Sequence, residues 1–330
     1  MFKEHPNESE HARTEYARAV RKISEVGFSA FKKSESASAY ASLLGAPLDC
    51  KIPYPPSLSQ EYVGSDELCE IFRLRISVLH DLPFFGLMFV PRGKSGALPL
   101  CIAAHGHLGT PELMYGMHGK NGYSDIIARL VAEGFCVFAP QLLIWNYGFA
   151  PAKPHYETSY DRQALDESLK SHGGGICALE LFCILRSITA LSSIKTLDMS
   201  RLCVSGMSYG AFYTMRAMAL DERITRGYFM SCFDGGLNED FPEWFVREKE
   251  LTPRDGEVAA MCSPRPILIE TGERDEIFPP EGAKYEAVTA YRTYKAQNAQ
   301  DSFNFRIWSG GHIVCPDNYG INFLLNNEKR

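Results

Sequence analysis

The sequence predicts an α/β protein with a mostly parallel, doubly wound sheet that carries helices on both faces. From about residue 98 onward, short apolar runs alternate with segments in which apolar residues recur at helical spacing. Strands that are apolar along their whole length are typical of a sheet that is covered on both faces. Of the 330 residues, 45% are hydrophobic and 22% are charged, which excludes bulk disorder and fibrous classes.

Residues 1–65 are expected to form a helical extension. Apolar residues recur at helical spacing between charges over residues 9–33, which predicts an amphipathic helix. A second short helix is predicted at residues 39–44, and the four prolines from Pro47 to Pro56 exclude regular structure there. Because the apolar face of the first helix needs cover, we expect the extension to pack on the main domain. The alternative is a mobile tail.

Residues 66–330 are expected to form the main domain. It begins with two segments rich in β-forming residues, which predict an antiparallel pair at 71–78 and 84–89. Further strands are predicted at 98–104, 135–139, 202–205, 227–233, 266–271 and 303–308, and helices at 126–132, 178–191, 209–220, 286–296 and 319–326. In such sheets ligands bind at the carboxyl ends of the strands, so reactive residues that follow strands are the candidates for a site.

Charge and composition exclude several classes of partner. The 34 Lys and Arg against 40 Asp and Glu give a net charge of −6, so we expect no nucleic-acid partner. No apolar run is long enough for a membrane span, and the first ten residues lack the pattern of a secretory signal. The ten cysteines have no C-x-x-C spacing and lie mostly in apolar runs, which indicates buried free thiols. Together these features predict a cytoplasmic protein.

The strongest motif is the sequence Gly206-Met207-Ser208-Tyr209-Gly210. It has the form G-x-S-x-G and stands between a predicted strand and a predicted helix, which is the context that a nucleophile elbow requires. The turn is so sharp that the two glycine positions need residues almost without side chains. Ser208 is therefore the candidate nucleophile, exposed at a helix N-terminus whose dipole favours developing negative charge. The alternative is an ordinary Gly/Ser turn.

A serine nucleophile needs a base and an acid to orient that base. In the chain order nucleophile, acid, histidine, the base must follow residue 208, and of the nine histidines only His312 does. It lies in a glycine-rich loop after the strand predicted at 303–308. Asp275, four residues after the strand at 266–271, is the favoured acid, and Asp234 after the preceding strand is the competitor.

The motif His105-Gly106-His107-Leu108-Gly109 follows the strand at 98–104. It is interpreted as a turn that offers a backbone N–H to an oxyanion, and the N–H of Tyr209 would be the second donor. The alternative is a metal site on His105 and His107. A metal needs a third ligand, for which only His118 lies nearby, without a carboxylate at suitable spacing.

The order H-G-H-x-G, G-x-S-x-G, G-x-x-D-x-x-x-P and G-G-H over residues 66–330 resembles the α/β-hydrolase superfamily. The most similar branch is the dienelactone-hydrolase and acetyl-xylan-esterase-like group. The resemblance implies a triad of Ser208, Asp275 and His312, with oxyanion-hole N–H groups on His107 and Tyr209. Dienelactone hydrolases proper use a cysteine nucleophile, so this chain departs from them. Prolyl-oligopeptidase-type peptidases share the Ser-Tyr-Gly elbow, but a 65-residue extension cannot build their β-propeller.

These residues predict a serine ester hydrolase that needs no cofactor and no metal. The segment between residues 234 and 263 is short and charged, which favours an open cleft for short acyl groups over a long acyl tunnel. The resemblance implies acetyl-type esters of a carbohydrate, and aromatic residues after the strands are candidates for the pocket: Trp145, Tyr147, Phe233 and Trp244.

Three other functions stay open on the sequence. A peptidase or amidase would use the same triad. A non-catalytic binding protein could also have this fold, although none of the triad residues is missing. The third is a metal-dependent hydrolase that uses His105 and His107. The sequence also leaves the oligomeric state open.

Overall fold

One sheet of nine strands organises the part of the chain that the computed structural model describes, residues 8–28, 30–107, 109–117, 119, 121–143, 162–235 and 251–326. In chain order the strands are β1 (Ser57–Ser65), β2 (Cys69–Leu79), β3 (Leu82–Pro91), β4 (Leu98–Ala104), β5 (Cys136–Pro140), β6 (Leu197–Met207), β7 (Arg226–Met230), β8 (Ile267–Gly272) and β9 (Phe303–Trp308). They are arranged in the order β1-β2-β3-β5-β4-β6-β7-β8-β9.

The sheet is antiparallel at one end and parallel over the rest. Strands β1, β2 and β3 pair antiparallel, and β3 pairs antiparallel with β5. From β5 through β4, β6, β7 and β8 to β9, every neighbouring pair is parallel. The carboxyl ends of the six parallel strands therefore meet at one edge of the sheet, which confirms the predicted fold class and the predicted antiparallel pair.

Helices cover both faces of this sheet. They are α1 (Glu8–Val26), α2 (Ala39–Leu44), α3 (Pro111–Tyr115), α4 (Ile126–Ala132), α5 (Arg162–Ser171), α6 (Ile176–Leu191), α7 (Tyr209–Leu220), α8 (Asp255–Met261), α9 (Pro280–Ala296) and α10 (Tyr319–Leu325). Buried apolar residues of α1, α2 and α5 to α9 form a core cluster on one face. Those of α3, α4 and α10 form a second cluster on the other face. This two-sided cover explains why the central strands β4 and β5 are apolar along their whole length.

Most predicted elements are present, and five of them, α2, β4, α4, α7 and β9, have the predicted bounds. The first helix was predicted to residue 33 but ends at Val26. Gly27 follows with a φ of 60° and donates its N–H to the carbonyl of Ile23, so the chain leaves the helix through a left-handed residue. The apolar residues beyond it, Phe28 and Phe31, still face the core but do so from a loop.

The sequence did not predict β1 or the helices α3, α5 and α8. Strand β1 lies inside the segment that was predicted to be helical and irregular. Most of its side chains are polar and exposed because it is an edge strand, so it lacks the alternation of apolar residues that reveals a half-buried strand. That residues 1–65 form a unit of their own stays a prediction.

The composition predicted that no segment spans a membrane and that the cysteines are buried free thiols. Among the helices in the described ranges, none is both long enough and apolar enough to cross a bilayer. All ten cysteines are free, and nine are buried. Burial raises the pKa of these thiols, for example that of Cys136 to about 12, so they behave as small apolar side chains.

Tyr16 connects α1 to the sheet. Its side chain is fully buried, its hydroxyl accepts a hydrogen bond from the Phe85 N–H at 2.8 Å, and it donates to the Gln141 carbonyl at 2.8 Å. These two backbone groups belong to β3 and to the residue that follows β5. A single phenol thus satisfies polar groups on two strands and fixes the first helix over the sheet.

We expect Tyr16→Phe to lower the free energy of unfolding by about 2 kcal/mol, because it leaves a buried N–H and a buried carbonyl without this partner. Tyr62→Phe is the matched control, since Tyr62 is 56% exposed and its hydroxyl bonds the side chain of Ser65 at the edge of the sheet. The measurement is urea unfolding of both variants. Equal stability of the two variants would contradict the assigned role of Tyr16.

Candidate active site

Ser208 lies in the sharp turn between β6 and α7. Its φ of 55° and ψ of −122° are unusual for a residue with a side chain. The backbone is held there because the Ser208 N–H donates to the Met230 carbonyl at 2.8 Å and its carbonyl accepts from the Phe212 N–H at 3.0 Å. Strained residues of this kind persist where the surrounding structure determines them, and they concentrate at functional sites.

Both glycines of the elbow are required by close contacts between backbone segments. A Cβ on Gly206 would lie 2.5 Å from the backbone of Gly210. A Cβ on Gly210 would overlap the carbonyl oxygen of Ala104, the last residue of β4. The G-x-S-x-G pattern thus follows from the packing of α7 against β6 and β4, which brings the nucleophile beside the turn that follows β4.

His312 and Asp275 form a hydrogen-bonded pair. Nδ1 of His312 lies 2.9 Å from Oδ2 and 3.1 Å from Oδ1 of Asp275, and since a carboxylate only accepts, Nδ1 carries the donated proton. The ring stacks on Phe278 with 5.3 Å between the ring centroids. The imidazole is thereby fixed in tautomer and in orientation.

Asp275 is buried but is surrounded by donors. Burial alone would raise its pKa, but the hydrogen bond from His312 and the further donors, the Phe278 N–H and the Ser231 hydroxyl, bring the pKa below its ordinary value. The carboxylate also accepts from the Ile277 N–H at 3.0 Å. Asp234, the competing acid, makes no hydrogen bond to His312.

The two loops that carry the acid and the histidine pack on each other. The Arg274 N–H donates to the Gly310 carbonyl at 2.7 Å, and a Cβ on Gly272 would overlap the Gly311 carbonyl. On the other side, the Val314 N–H donates to the Gly122 carbonyl at 2.7 Å. The histidine loop is therefore held between the loop after β8 and the loop before α4.

An ionic network that begins at buried Glu270 and reaches the surface supports the same loop. Glu270 of β8 is buried, and Arg306 of β9 bonds it at 2.7 Å while also pairing with Asp317 in the segment that leads to α10. The Tyr228 hydroxyl donates to the other oxygen of Glu270. With Cys315, these acids form a group close enough together to hold a metal ion, but Arg306 already pairs with both carboxylates.

Ser208 and His312 line one cavity of about 310 Å³ at the carboxyl edge of the sheet. Ile277 also lines the cavity and is 54% exposed, so it lies at the rim. The other lining residues come from the turn after β4, the loop before α4, the elbow and the acid loop: Gly106, His107, Gly122, Tyr123, Met207, Tyr209 and Phe278. The proposed nucleophile, base and oxyanion-hole positions thus border one space.

The two histidines of the turn after β4 have different environments. His105 is fully buried, with Nδ1 2.9 Å from the Gly106 carbonyl and Nε2 accepting from the Leu142 N–H at 3.1 Å. Burial lowers the pKa of His105 to about 4, so the ring is neutral. Its acceptor nitrogen is already used by Leu142, which argues against a metal ligand, whereas His107 is exposed and lines the cavity. His118 lies outside the described residues.

The structure agrees less well with the predicted pocket aromatics. Phe233 is fully buried in the core cluster that covers one face of the sheet, and it is not among the residues that line the cavity. Trp145, Tyr147 and Trp244 lie outside the described residues. Sequence analysis missed the aromatic side chains that do line the cavity, Tyr123 and Phe278. Their one signal was position, just before a predicted helix and just after the predicted acid.

No family model matches this chain, and no curated protein matches it. Solved structures do. The acetyl xylan esterase from Paenibacillus sp. R4 is 15% identical, with a TM-score of 0.58 over 97% of this chain and 96% of that one. The glucuronoyl esterase from Solibacter usitatus is 15% identical, with a TM-score of 0.60 over 85% and 88%. Acetyl xylan esterase 1 from Thermoanaerobacterium sp. JW/SL YS485 is 16% identical, with a TM-score of 0.55 over 93% and 98%. These likenesses show the α/β-hydrolase fold.

The hydrogen bond to His312 predicts unequal effects of two matched substitutions. Asp275→Asn should reduce kcat by about 10⁴-fold, because an amide at this position favours the wrong imidazole tautomer. Asp234→Asn should leave kcat within about threefold of the wild type, because Asp234 does not bond the ring. Steady-state hydrolysis of a p-nitrophenyl ester measures both. If Asp234→Asn is the more damaging change, the acid has been assigned wrongly.

His105 predicts a loss of stability in acid. The folded side chain stays neutral down to about pH 4, whereas the unfolded one takes up a proton near pH 6.5. Between these values protons bind the unfolded chain, so stability is complete above about pH 6.5 and falls by about 3 kcal/mol toward pH 4. Urea unfolding at each pH measures this loss. Between about pH 6.5 and pH 4, the His105→Gln variant should lose about 3 kcal/mol less of its free energy of unfolding than the wild type. Parallel pH profiles for the two proteins would contradict this.

Proposed function

We propose that this chain, which has the α/β-hydrolase fold, is a serine ester hydrolase with Ser208 as nucleophile, His312 as base and Asp275 as the acid that orients the base. One observation carries the proposal: the hydrogen-bonded pair of His312 and Asp275 borders the same cavity as a serine in a strained elbow. A nucleophile, a base and a group that orients the base are the minimal set for acyl transfer through a covalent intermediate.

In the first half-reaction, Ser208 Oγ attacks the ester carbonyl carbon. The Oγ–C bond forms while the Oγ proton passes to Nε2 of His312, and the carbonyl π electrons move onto the oxygen. Asp275 holds the Nδ1 proton and stabilises the imidazolium that results. The C–O bond to the alcohol then breaks, and His312 returns the proton to the leaving oxygen. Water repeats the same steps on the acyl-enzyme and releases the acid.

The oxyanion that forms at each tetrahedral stage needs donors. We assign the backbone N–H groups of His107 and Tyr209, which border the cavity on either side of Ser208. Tyr209 is the first residue of α7, so the positive end of the helix dipole adds to its N–H. Removal of one such donor typically costs about 3 kcal/mol of transition-state stabilisation.

We infer that the substrates are esters of short acyl groups, acetyl first, on a saccharide alcohol. A cavity of about 310 Å³ beside Ser208 has room for a short acyl group. The names of two similar structures, both acetyl xylan esterases, support a carbohydrate as the alcohol. The steps derived above use no cofactor or metal, and we propose none.

The acyl-chain preference tests this proposal. We expect kcat/KM to be highest for acetate or butyrate and to fall for octanoate and palmitate esters of one alcohol. Each further CH₂ would add about 0.8 kcal/mol of binding only if an apolar channel received it. The matching p-nitroanilide, assayed beside the acetate ester, separates an esterase from an amidase.

Ser208→Ala is the control for these rates, since it should keep its fold and lose several orders of magnitude in turnover. An organophosphate should label Ser208 and no other serine. A monotonic rise of kcat/KM toward octanoate would overturn the short-acyl assignment. Full activity of Ser208→Ala would overturn the mechanism.

A further inference from the structure

The loop before α4 places a tyrosine in the cavity with an unused proton. Tyr123 is buried, and its hydroxyl oxygen accepts a hydrogen bond from the Gly106 N–H at 2.9 Å. This is the hydroxyl's one hydrogen bond, so within the described ranges its own proton has no acceptor. A buried O–H that donates to nothing costs free energy, and in a native structure such a group needs an explanation.

The position of this hydroxyl supplies one. A Cβ built on Gly106 would lie 3.4 Å from the Tyr123 hydroxyl and 3.3 Å from Cβ of Ser208, so both groups border the same glycine. A Cβ on Gly109 would overlap the hydroxyl oxygen itself. The last glycine of the H-G-H-x-G motif therefore leaves the space that the phenol hydroxyl occupies beside Gly106.

The tyrosine is also held rigidly. The Tyr123 N–H donates to Oδ1 of Asn121 at 2.8 Å. The next two residues, Ser124 and Asp125, have φ values of 48° and 52°, a left-handed conformation that residues with side chains adopt at a cost. The Ser124 hydroxyl donates to the Val314 carbonyl at 2.8 Å, which ties this loop to the one that carries the histidine. Such a loop holds its side chain in place before a ligand arrives.

We propose that the Tyr123 hydroxyl is a third donor to the oxyanion, beside the N–H groups of His107 and Tyr209; this rests on the function proposed above. When Ser208 Oγ bonds the carbonyl carbon, the π electrons move to the carbonyl oxygen and its charge grows. The Tyr123 O–H then donates a hydrogen bond to that oxygen and keeps its proton. The Tyr123 proton, which has no acceptor among the described residues of the free enzyme, therefore gains one only in the tetrahedral state.

Two physical effects suit the phenol to this task. Burial raises the pKa of Tyr123 far above its ordinary value, so the hydroxyl keeps its proton at neutral pH. The Gly106 N–H that it accepts polarises the O–H and makes it a better donor. The Gly106 N–H donates to Tyr123 and is not available to the oxyanion. Gly106 therefore acts on the oxyanion only by polarising the Tyr123 hydroxyl.

Tyr123→Phe tests the assignment, because it removes the donor and keeps the ring. We expect kcat to fall about 100-fold with KM within about threefold, the pattern of an interaction made only in the transition state. The affinity for a phenylboronic acid, which forms a tetrahedral adduct on Ser208, should fall by a similar factor. A tyrosine that only supports the Gly106 turn would not weaken the adduct selectively over the substrate.

Tyr294→Phe is the matched control. Tyr294 is equally buried, and its hydroxyl donates to the Arg265 carbonyl at 2.8 Å, away from the cavity. It should lose stability in urea unfolding but keep kcat and the boronate affinity. If Tyr123→Phe resembles Tyr294→Phe in both readouts, the proposal is overturned.

The labelling rate of Ser208 by an organophosphate separates this proposal from the function on which it rests. The reagent's phosphoryl oxygen enters the same donor site, so Tyr123→Phe should slow labelling about 100-fold whatever ester is the natural substrate. Slow labelling of the variant would support Tyr123 even if the wild type hydrolysed no carboxylic ester. If the wild type hydrolyses esters and the variant is labelled at the same rate as the wild type, the role proposed for Tyr123 is overturned and the proposed function is not.

Discussion

The close approach of α7 to the end of β4 is the constraint on which the site depends. No side-chain atom fits between Gly210 and the Ala104 carbonyl, so the elbow and the turn after β4 are held in backbone contact. This contact raises Ser208 above the sheet in a strained conformation and sets it beside the turn that carries His107. The candidate nucleophile and the turn proposed to stabilise the oxyanion are thus positioned by the same packing, and neither can shift without the other.

The rest of the site consists of loops that hold one another. The loop after β9 is bonded to the acid loop through Arg274 and Gly310, to the loop before α4 through Val314 and Gly122, and to the strands through Arg306. Loops are ordinarily the more mobile part of a fold. Here each side chain of the proposed triad lies on a turn or loop with bonds on at least two sides, which gives it the precision that acyl transfer would need without placing it on a strand.

Burial has opposite consequences for the polar groups around the cavity, depending on what they face. His105 has backbone partners that suit a neutral ring, so burial keeps it uncharged. Asp275 is buried too, but its N–H and hydroxyl donors outweigh the loss of solvent and keep it ionised. Tyr123 is buried too. Its hydroxyl oxygen accepts from the Gly106 N–H, but among the described residues its own proton has no acceptor. Burial therefore leaves His105 as a neutral ring, Asp275 as an anion and Tyr123 with a proton that it does not donate.

The sequence by itself determined the alternation of strands and helices, the parallel sheet, and Ser208, Asp275 and His312 as candidates, because apolar periodicity and the glycines of the elbow are local features of the chain. It could not reveal β1, since a polar edge strand has no apolar alternation, and it assigned Phe233 to a pocket although the fold buries it in the core. Only the tertiary structure shows that Asp275, the acid that the sequence favoured, bonds His312, and that Tyr123 lies beside Gly106 at the cavity. Both outcomes depend on which loops meet at the edge of the sheet, and contacts between residues far apart in the chain leave no local pattern from which they could be predicted.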